Sequence, residues 1–190
     1  MEKLLNKAKD IKIIFFDIDD TLRVKDTGFM PASLTHIFEI LHQKGILTGI
    51  ATGRNLCGVV PEIKALHPDF FVTANGAYVI DKSDQVIYKQ SLPQKVVLDI
   101  VEWLTTSSAE YVVYGADQVV ASAWSDTMQS AIEPLYGQLP IDPDYHLTHN
   151  IYQMVTMSEH DDQLILPEKL SESVRMVRWH EHSSDIVPLN

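Results

Sequence analysis

The run Ile11-Lys12-Ile13-Ile14-Phe15-Phe16 is almost continuously apolar and stops at Asp17. That is the pattern of a short strand buried on both faces of a parallel sheet. After a polar stretch, Pro31 opens a helix whose apolar residues Leu34, Ile37, Phe38 and Leu41 recur at helical spacing, and Gly45 stops it. Residues 46–51 form the next apolar run and end at Thr52-Gly53-Arg54. Residues 55–67 predict a second helix, weakened by Gly58 and Pro61 and closed by Pro68. Residues 70–74 form a third strand ending at Asn75-Gly76. Strand, helix, strand, helix, strand in about 65 residues predicts an α/β fold with a doubly wound, Rossmann-like parallel sheet. Right-handed crossovers then bring the three strand ends to one edge, where such sheets bind ligands.

The rhythm changes after Gly76. Residues 77–80 and 86–88 predict a hairpin, and residues 93–107 a helix with Val96, Val97, Ile100, Val101 and Leu104 on one face. Strands are expected at 111–114, 118–121, 151–157 and 174–179, and a helix at 125–136 ended by Gly137. This second region reads as α+β and contains no Gly-rich phosphate loop. Trp103 fits helix packing, Met154 and Met157 fit core filling, and Asp161-Asp162 fits a helix start.

Composition narrows the partners. The 190 residues carry a net charge of −11, which disfavours nucleic acid and anionic membrane surfaces. No apolar run of about 18 residues appears, and residues 1–10 are charged and amphipathic, unlike a secretory signal. Cys57 is the only cysteine, so an intramolecular disulfide is excluded, and a reducing cytoplasm is the expected location. The expected partner is a small metabolite.

The candidate chemistry sits at the three strand ends: Asp17-Ile18-Asp19-Asp20-Thr21, Thr52-Gly53-Arg54 and Asn75-Gly76. Two carboxylates about 4 Å apart repel by roughly 4 kcal/mol at an effective dielectric near 20. Asp17 and Asp19 therefore call for a cation, a shared proton or separate duties. Mg²⁺ suits oxygen ligands and neutralises an incoming phosphate. Asp17 can then attack phosphorus, while Asp19 protonates the leaving oxygen and later activates water. Thr52, followed by backbone N–H groups at a helix start, suits a phosphate oxygen. Each piece also fits a plain role: the Asp pair as turn and cap, Thr52 as a cap, Asn75-Gly76 as a hairpin turn. Their conjunction on one edge favours phosphoryl transfer.

The motifs Phe15-Phe16-Asp17-Ile18-Asp19-Asp20-Thr21-Leu22, Ala51-Thr52-Gly53-Arg54 and Thr73-Ala74-Asn75-Gly76-Ala77 resemble those of haloacid dehalogenase superfamily phosphatases, with spacing closest to the Cof-type subgroup. The resemblance implies a core with an inserted α/β cap, Asp17 as nucleophile and Asp19 as general acid/base. It also implies Thr52 on the phosphoryl group, and Mg²⁺ held by the Asp17 side chain and the Asp19 carbonyl. Gly53, Arg54, Asn75 and Gly76 become candidate substrate contacts, with a small phosphorylated metabolite as substrate. By the same resemblance the core comprises residues 1–82 and 184–190, and the cap residues 83–183. Asp20 stands where many members carry Gly.

Members continue after an Asp-Ile-Val-Pro segment with a catalytic Lys and then a Gly-Asp motif that completes the metal site. Neither follows Ser184-Asp185-Ile186-Val187-Pro188 before Asn190, and Lys169 lies in the expected cap. The expectation is a partial sequence, with the first strand left with an unpaired apolar edge. Two alternatives remain: a phosphate-binding relic or fragment without turnover, and a receiver-like phosphoacceptor. The second is disfavoured because the third strand ends in Asn75. His180 and His182 around Glu181 fit a solvated turn better than a metal site, while Trp124 and Trp179 could line a pocket.

Overall fold

The computed structural model describes residues 10–189, so residues 1–9 and 190 of the sequence reading lie outside the described residues. Two five-stranded sheets organise the chain. The first contains β1 (Ile13–Phe16), β2 (Leu47–Ala51), β3 (Phe70–Thr73), β4 (Tyr78–Asp81) and β5 (Val86–Lys89), in that spatial order. β1, β2 and β3 run parallel, and β4 and β5 continue as an antiparallel hairpin. Helix α1 (Ser33–Gln43) ends where Gly45 adopts φ +68°; the Gly45 and Ile46 amides close back on His42 and Leu41. Both crossovers run the same way along the sheet, which puts α1 and the next helix on one face. There Phe38, Val59, Ile63 and Leu66 share a core with Ile50 and Phe71.

β1 is the edge strand and is not buried on both faces. Phe15 is 48% exposed because no element among the described residues covers that side. The expected helix over 55–67 is also different. It is a 3₁₀ turn (Leu56–Gly58) followed by the one-turn helix α2 (Pro61–Lys64). Pro61 removes a helical donor and forces Val60 to an extended conformation (φ −63°, ψ 150°), so the pattern cannot continue through it.

The second sheet is antiparallel, in the order β7 (Val119–Ala121), β6 (Glu110–Tyr114), β8 (Gln153–Met157), β10 (Ser183–Pro188), β9 (Val174–His180). Helix α3 (Gln94–Thr106) packs Val97, Ile100 and Leu104 on its outer face, against Val113, Met154 and Ile186. The inner face packs on the first unit: Val112, Tyr114, Val155 and Met157 share a cluster with Ala74 and Ala77. The helix expected over 125–136 is two short ones, α4 (Asp126–Ala131) and α5 (Glu133–Tyr136). Asp161 opens only a 3₁₀ turn and is fully buried, bonded by Thr156 and Ser184 hydroxyls.

Sheet membership departs from the expected division at both ends. β5 lies beyond residue 82 yet belongs to the first sheet. Residues 184–188, expected to return to the core, form β10 between β8 and β9. The segment Ser-Ser-Asp-Ile-Val-Pro carries no clear alternation, so its local pattern does not say which sheet claims it.

Candidate active site

Ile18 anchors the site. It is fully buried, and its carbonyl accepts the amides of Thr21, Leu22 and Arg23 at 3.3, 3.0 and 2.9 Å. This curl turns the flanking Asp17 and Asp19 outward at the end of β1. Asp20 adopts φ +59°, a left-handed conformation that glycine would adopt without strain, and its carboxylate accepts the Lys25 amide at 3.0 Å.

Asp17 lines a cleft of about 360 Å³ together with Ala51, Thr52, Gly53, Val72, Asn75 and Gly76. Five of the seven site residues expected from sequence therefore meet in one place. Burial raises the Asp17 carboxyl above its ordinary value and the charges of Asp19 and Asp20 add to this, while the Ile18 backbone N–H and Arg54 oppose it. A larger cavity, about 960 Å³ beside Trp103, Glu110 and His160, lies on the second sheet away from this chemistry.

Asp19 and Arg54 form their own pair beside the cleft. Arg54 Nε donates to Asp19 Oδ2 and Nη2 to Asp19 Oδ1, both at 2.8 Å. Its Nη1 donates to the carbonyls of Gly58 (3.0 Å) and Leu135 (3.2 Å), so four of the five guanidinium N–H groups are engaged. Arg54 is 4% exposed and ties the nearest carboxylate to both units.

Thr52 is buried, with its amide on the Val72 carbonyl and its hydroxyl accepting the Arg54 amide at 3.1 Å. The Gly53 N–H has no partner among the described residues, which leaves it as the loop's backbone donor. The expected helix start after Thr52 is absent, because residues 53–55 bend and Asn55 caps the 3₁₀ turn by accepting the Cys57 amide. The third loop hangs on the second: the Ala74 amide donates to the Arg54 carbonyl at 2.8 Å and Asn75 to Thr52 at 3.3 Å. Ala74, Asn75 and Gly76 all have positive φ (49°, 53° and 96°), a compressed turn that these cross-bonds help to hold.

The sequence reading missed the contribution of the second sheet. Asn75 Nδ2 spends both hydrogens there, on Gln153 Oε1 at 2.9 Å and Asp185 Oδ2 at 2.8 Å. Gly53 lies so close that a Cβ on it would be 3.3 Å from the Asn75 amide and 3.5 Å from Asp185 Oδ2. The His180 and His182 rings lie 5.5 Å apart, tilted by 55°, and no group of three metal-ligating side chains occurs among the described residues. No helix among them is long and apolar enough to cross a membrane.

Residues 14–190 match the family described as haloacid dehalogenase-like hydrolase. The chain is 47% identical over 185 residues to a Streptococcus pyogenes protein named as a candidate bifunctional phosphatase/peptidyl-prolyl cis-trans isomerase, covering 97% of this chain and 39% of that protein. It is 28% identical to Bacillus subtilis YkrA, named as a candidate phosphatase, over 94% of this chain and 69% of that one. A solved Geobacillus kaustophilus protein superposes with a TM-score of 0.80 at 30% identity, covering 95% of this chain and 70% of its own. The chain thus spans well under half of the streptococcal relative and about 70% of the other two. With its three motif loops meeting at one sheet edge and a second α/β unit set over them, this chain belongs to the haloacid dehalogenase-like hydrolases, in their Cof-type arrangement.

Proposed function

We propose that the Asp17 cleft performs Mg²⁺-dependent hydrolysis of a small phosphate monoester. The observation that carries this reading is the convergence of Asp17, Thr52, Gly53 and Asn75 on one cleft at the β1–β3 ends. Asp17 Oδ attacks phosphorus and the bond to the leaving oxygen breaks, with Asp19 supplying its proton. Asp19 then takes a proton from water, the water oxygen attacks phosphorus, and the bond to Asp17 breaks to release phosphate. Arg54 holds both Asp19 oxygens, so proton transfer requires that pair to loosen as substrate enters.

Magnesium fits the donors. Asp17, Asp19 and Asp20 place three carboxylates against the single Arg54 guanidinium, leaving excess negative charge at the strand end. The Asp17 carboxylate and the Asp19 main-chain carbonyl, which accepts no hydrogen bond among the described residues, would hold the ion. When bound it neutralises the phosphate and polarises the bond under attack.

The test is hydrolysis of p-nitrophenyl phosphate with Mg²⁺ and with EDTA. Asp17→Asn should reduce kcat to about one-thousandth or less, and EDTA should abolish turnover. Full Mg²⁺-dependent activity in Asp17→Asn would sink the proposal. A second reading, phosphate binding without turnover, is favoured by the closed Asp19–Arg54 pair. Release of phosphate in a single-turnover experiment would eliminate it.

A further inference from the structure

The inner face of the second sheet is apolar, with Val112, Val155 and Met157 buried on it. Gln153 and Asp185 interrupt that face: Asp185 pairs with Val155 across β10 and β8, and Gln153 lies two residues before Val155. Both stand over the Asn75 loop, and Gly53 lets Asp185 approach the phosphate loop. Holding a carboxylate and a primary amide against apolar neighbours is costly, and buried polar groups of this kind are normally fully bonded.

These are not. Gln153 is fully buried and its Nε2 has no hydrogen-bond partner; the Trp179 Nε1 is likewise buried and unpartnered. Both donors face the Asp185 carboxylate and favour its charged form without reaching hydrogen-bond geometry. Asp185 Oδ2 accepts from Asn75, while its Oδ1 accepts no hydrogen bond among the described residues. The set therefore presents an unpaired acceptor beside unpaired donors. Lys25, whose ammonium sits 5.1 Å from the Trp179 ring centre, braces the indole from the Asp17 loop.

We propose that Gln153, Trp179 and Asp185 form the subsite for the leaving group and select one that carries a hydroxyl. A hydroxyl donates to Asp185 Oδ1 and accepts from Gln153 or Trp179, satisfying both halves at once. An ammonium only donates, leaving the donors orphaned. A carboxylate only accepts and is repelled by Asp185. This rests on the phosphate-monoester reading of the Asp17 cleft and adds specificity to it. Asp185 is here a specificity-determining residue, and Asn75 positions it.

The test uses alkylphosphonates, which are not hydrolysed, with two- and three-carbon chains ending in hydroxyl, ammonium, carboxylate or methyl. Dissociation constants are measured calorimetrically with Mg²⁺ for the wild-type chain and Asp185→Asn, with inorganic phosphate as reference. Wild type should bind the hydroxyl member about tenfold more tightly than the methyl member, with the carboxylate weakest. Asp185→Asn should compress the hydroxyl-to-carboxylate ratio by about tenfold, a change of pattern that a purely structural role would not produce. Equal weakening of all four probes, or an unchanged ratio, overturns the subsite. If phosphate binds but no end group is discriminated, the subsite fails and the phosphate reading stands. If phosphate itself does not bind, both fail.

Discussion

Replacing Arg54 with Met removes a guanidinium that is 4% exposed and leaves four acceptors behind: both oxygens of Asp19 and the carbonyls of Gly58 and Leu135. Breaking a buried charge pair by deleting one partner costs about 3–5 kcal/mol, because the surviving charge is stranded. Asp19 is 25% exposed and can partly rehydrate, which draws its share toward the lower limit. The two carbonyls add about 1 kcal/mol each where water does not reach them. A net loss of about 5 kcal/mol follows, or about 2.5 M in the urea midpoint at a slope near 2 kcal/mol per M. Urea titrations followed by tryptophan fluorescence and far-ultraviolet circular dichroism measure it. Adding Asp19→Asn should return about 1 kcal/mol or more, since the stranded charge is then gone. A loss below about 1 kcal/mol for Arg54→Met, or no recovery in the double variant, would show that solvent already supports the pair. Arg54 also lowers the Asp17 pKa, so the acid limb of any phosphatase profile should move to higher pH in Arg54→Met.

Burial raises the Asp185 carboxyl to about 6 from the ordinary 3.8, against the hydrogen bond from Asn75 and the nearby Trp179 and Gln153 N–H dipoles. The native chain then binds the proton more tightly than the unfolded chain, so this group's contribution falls as pH rises from about 4 to 6, by about 3 kcal/mol as an upper figure. The difference in urea midpoint between wild type and Asp185→Asn should therefore change across that window and be flat above pH 7. Gly58→Ala would put a Cβ 2.3 Å from the Tyr136 ring, so it should cost about 1–3 kcal/mol, and Tyr136→Ala in the same chain should relieve part of it. Asn75 sits at φ 53°, so Asn75→Gly should retain more thermal stability than Asn75→Ala although both lose the bonds to Gln153 and Asp185. Equal melting temperatures for those two variants would show that the turn is unstrained.

What could be read from the sequence was local. The strands ending at Asp17, Thr52 and Asn75 are apolar runs with polar stops, and the crossover rule alone gathers their ends at one edge. The helix stop at Gly45 was legible for the same reason, since one residue's backbone freedom decides it. The helix over 55–67 failed because apolar spacing at Val59, Ile63 and Leu66 persists through Pro61, where the backbone cannot follow. Periodicity reports which side chains want to be buried, not whether one continuous helix buries them. Asp185 meets Asn75 across 110 residues, and no local pattern encodes a contact between a loop of one sheet and a strand of the other.

The electrostatics of the site show why that long-range contact matters more than the motif residues alone. Asp19, tied on both oxygens to Arg54, and Asp17, raised by burial, are each explained within the first unit except for one bond, from Arg54 to the Leu135 carbonyl. That bond, the Asn75 contacts and the Asn55 bonds (side-chain Nδ2 to the Gly115 carbonyl, backbone N–H to the Tyr136 hydroxyl) are polar links that help set the second sheet over the cleft. All three start from residues in or next to the motif loops. A motif residue in this chain thus has two tasks, one toward phosphate and one toward the unit above it. If the units move apart when substrate enters, Arg54 loses the Leu135 carbonyl before it loses Asp19, whose paired bonds are shorter and charge-assisted. Opening alone should therefore leave the Asp19–Arg54 pair intact, and the loosening that proton transfer requires must come from the bound phosphate itself.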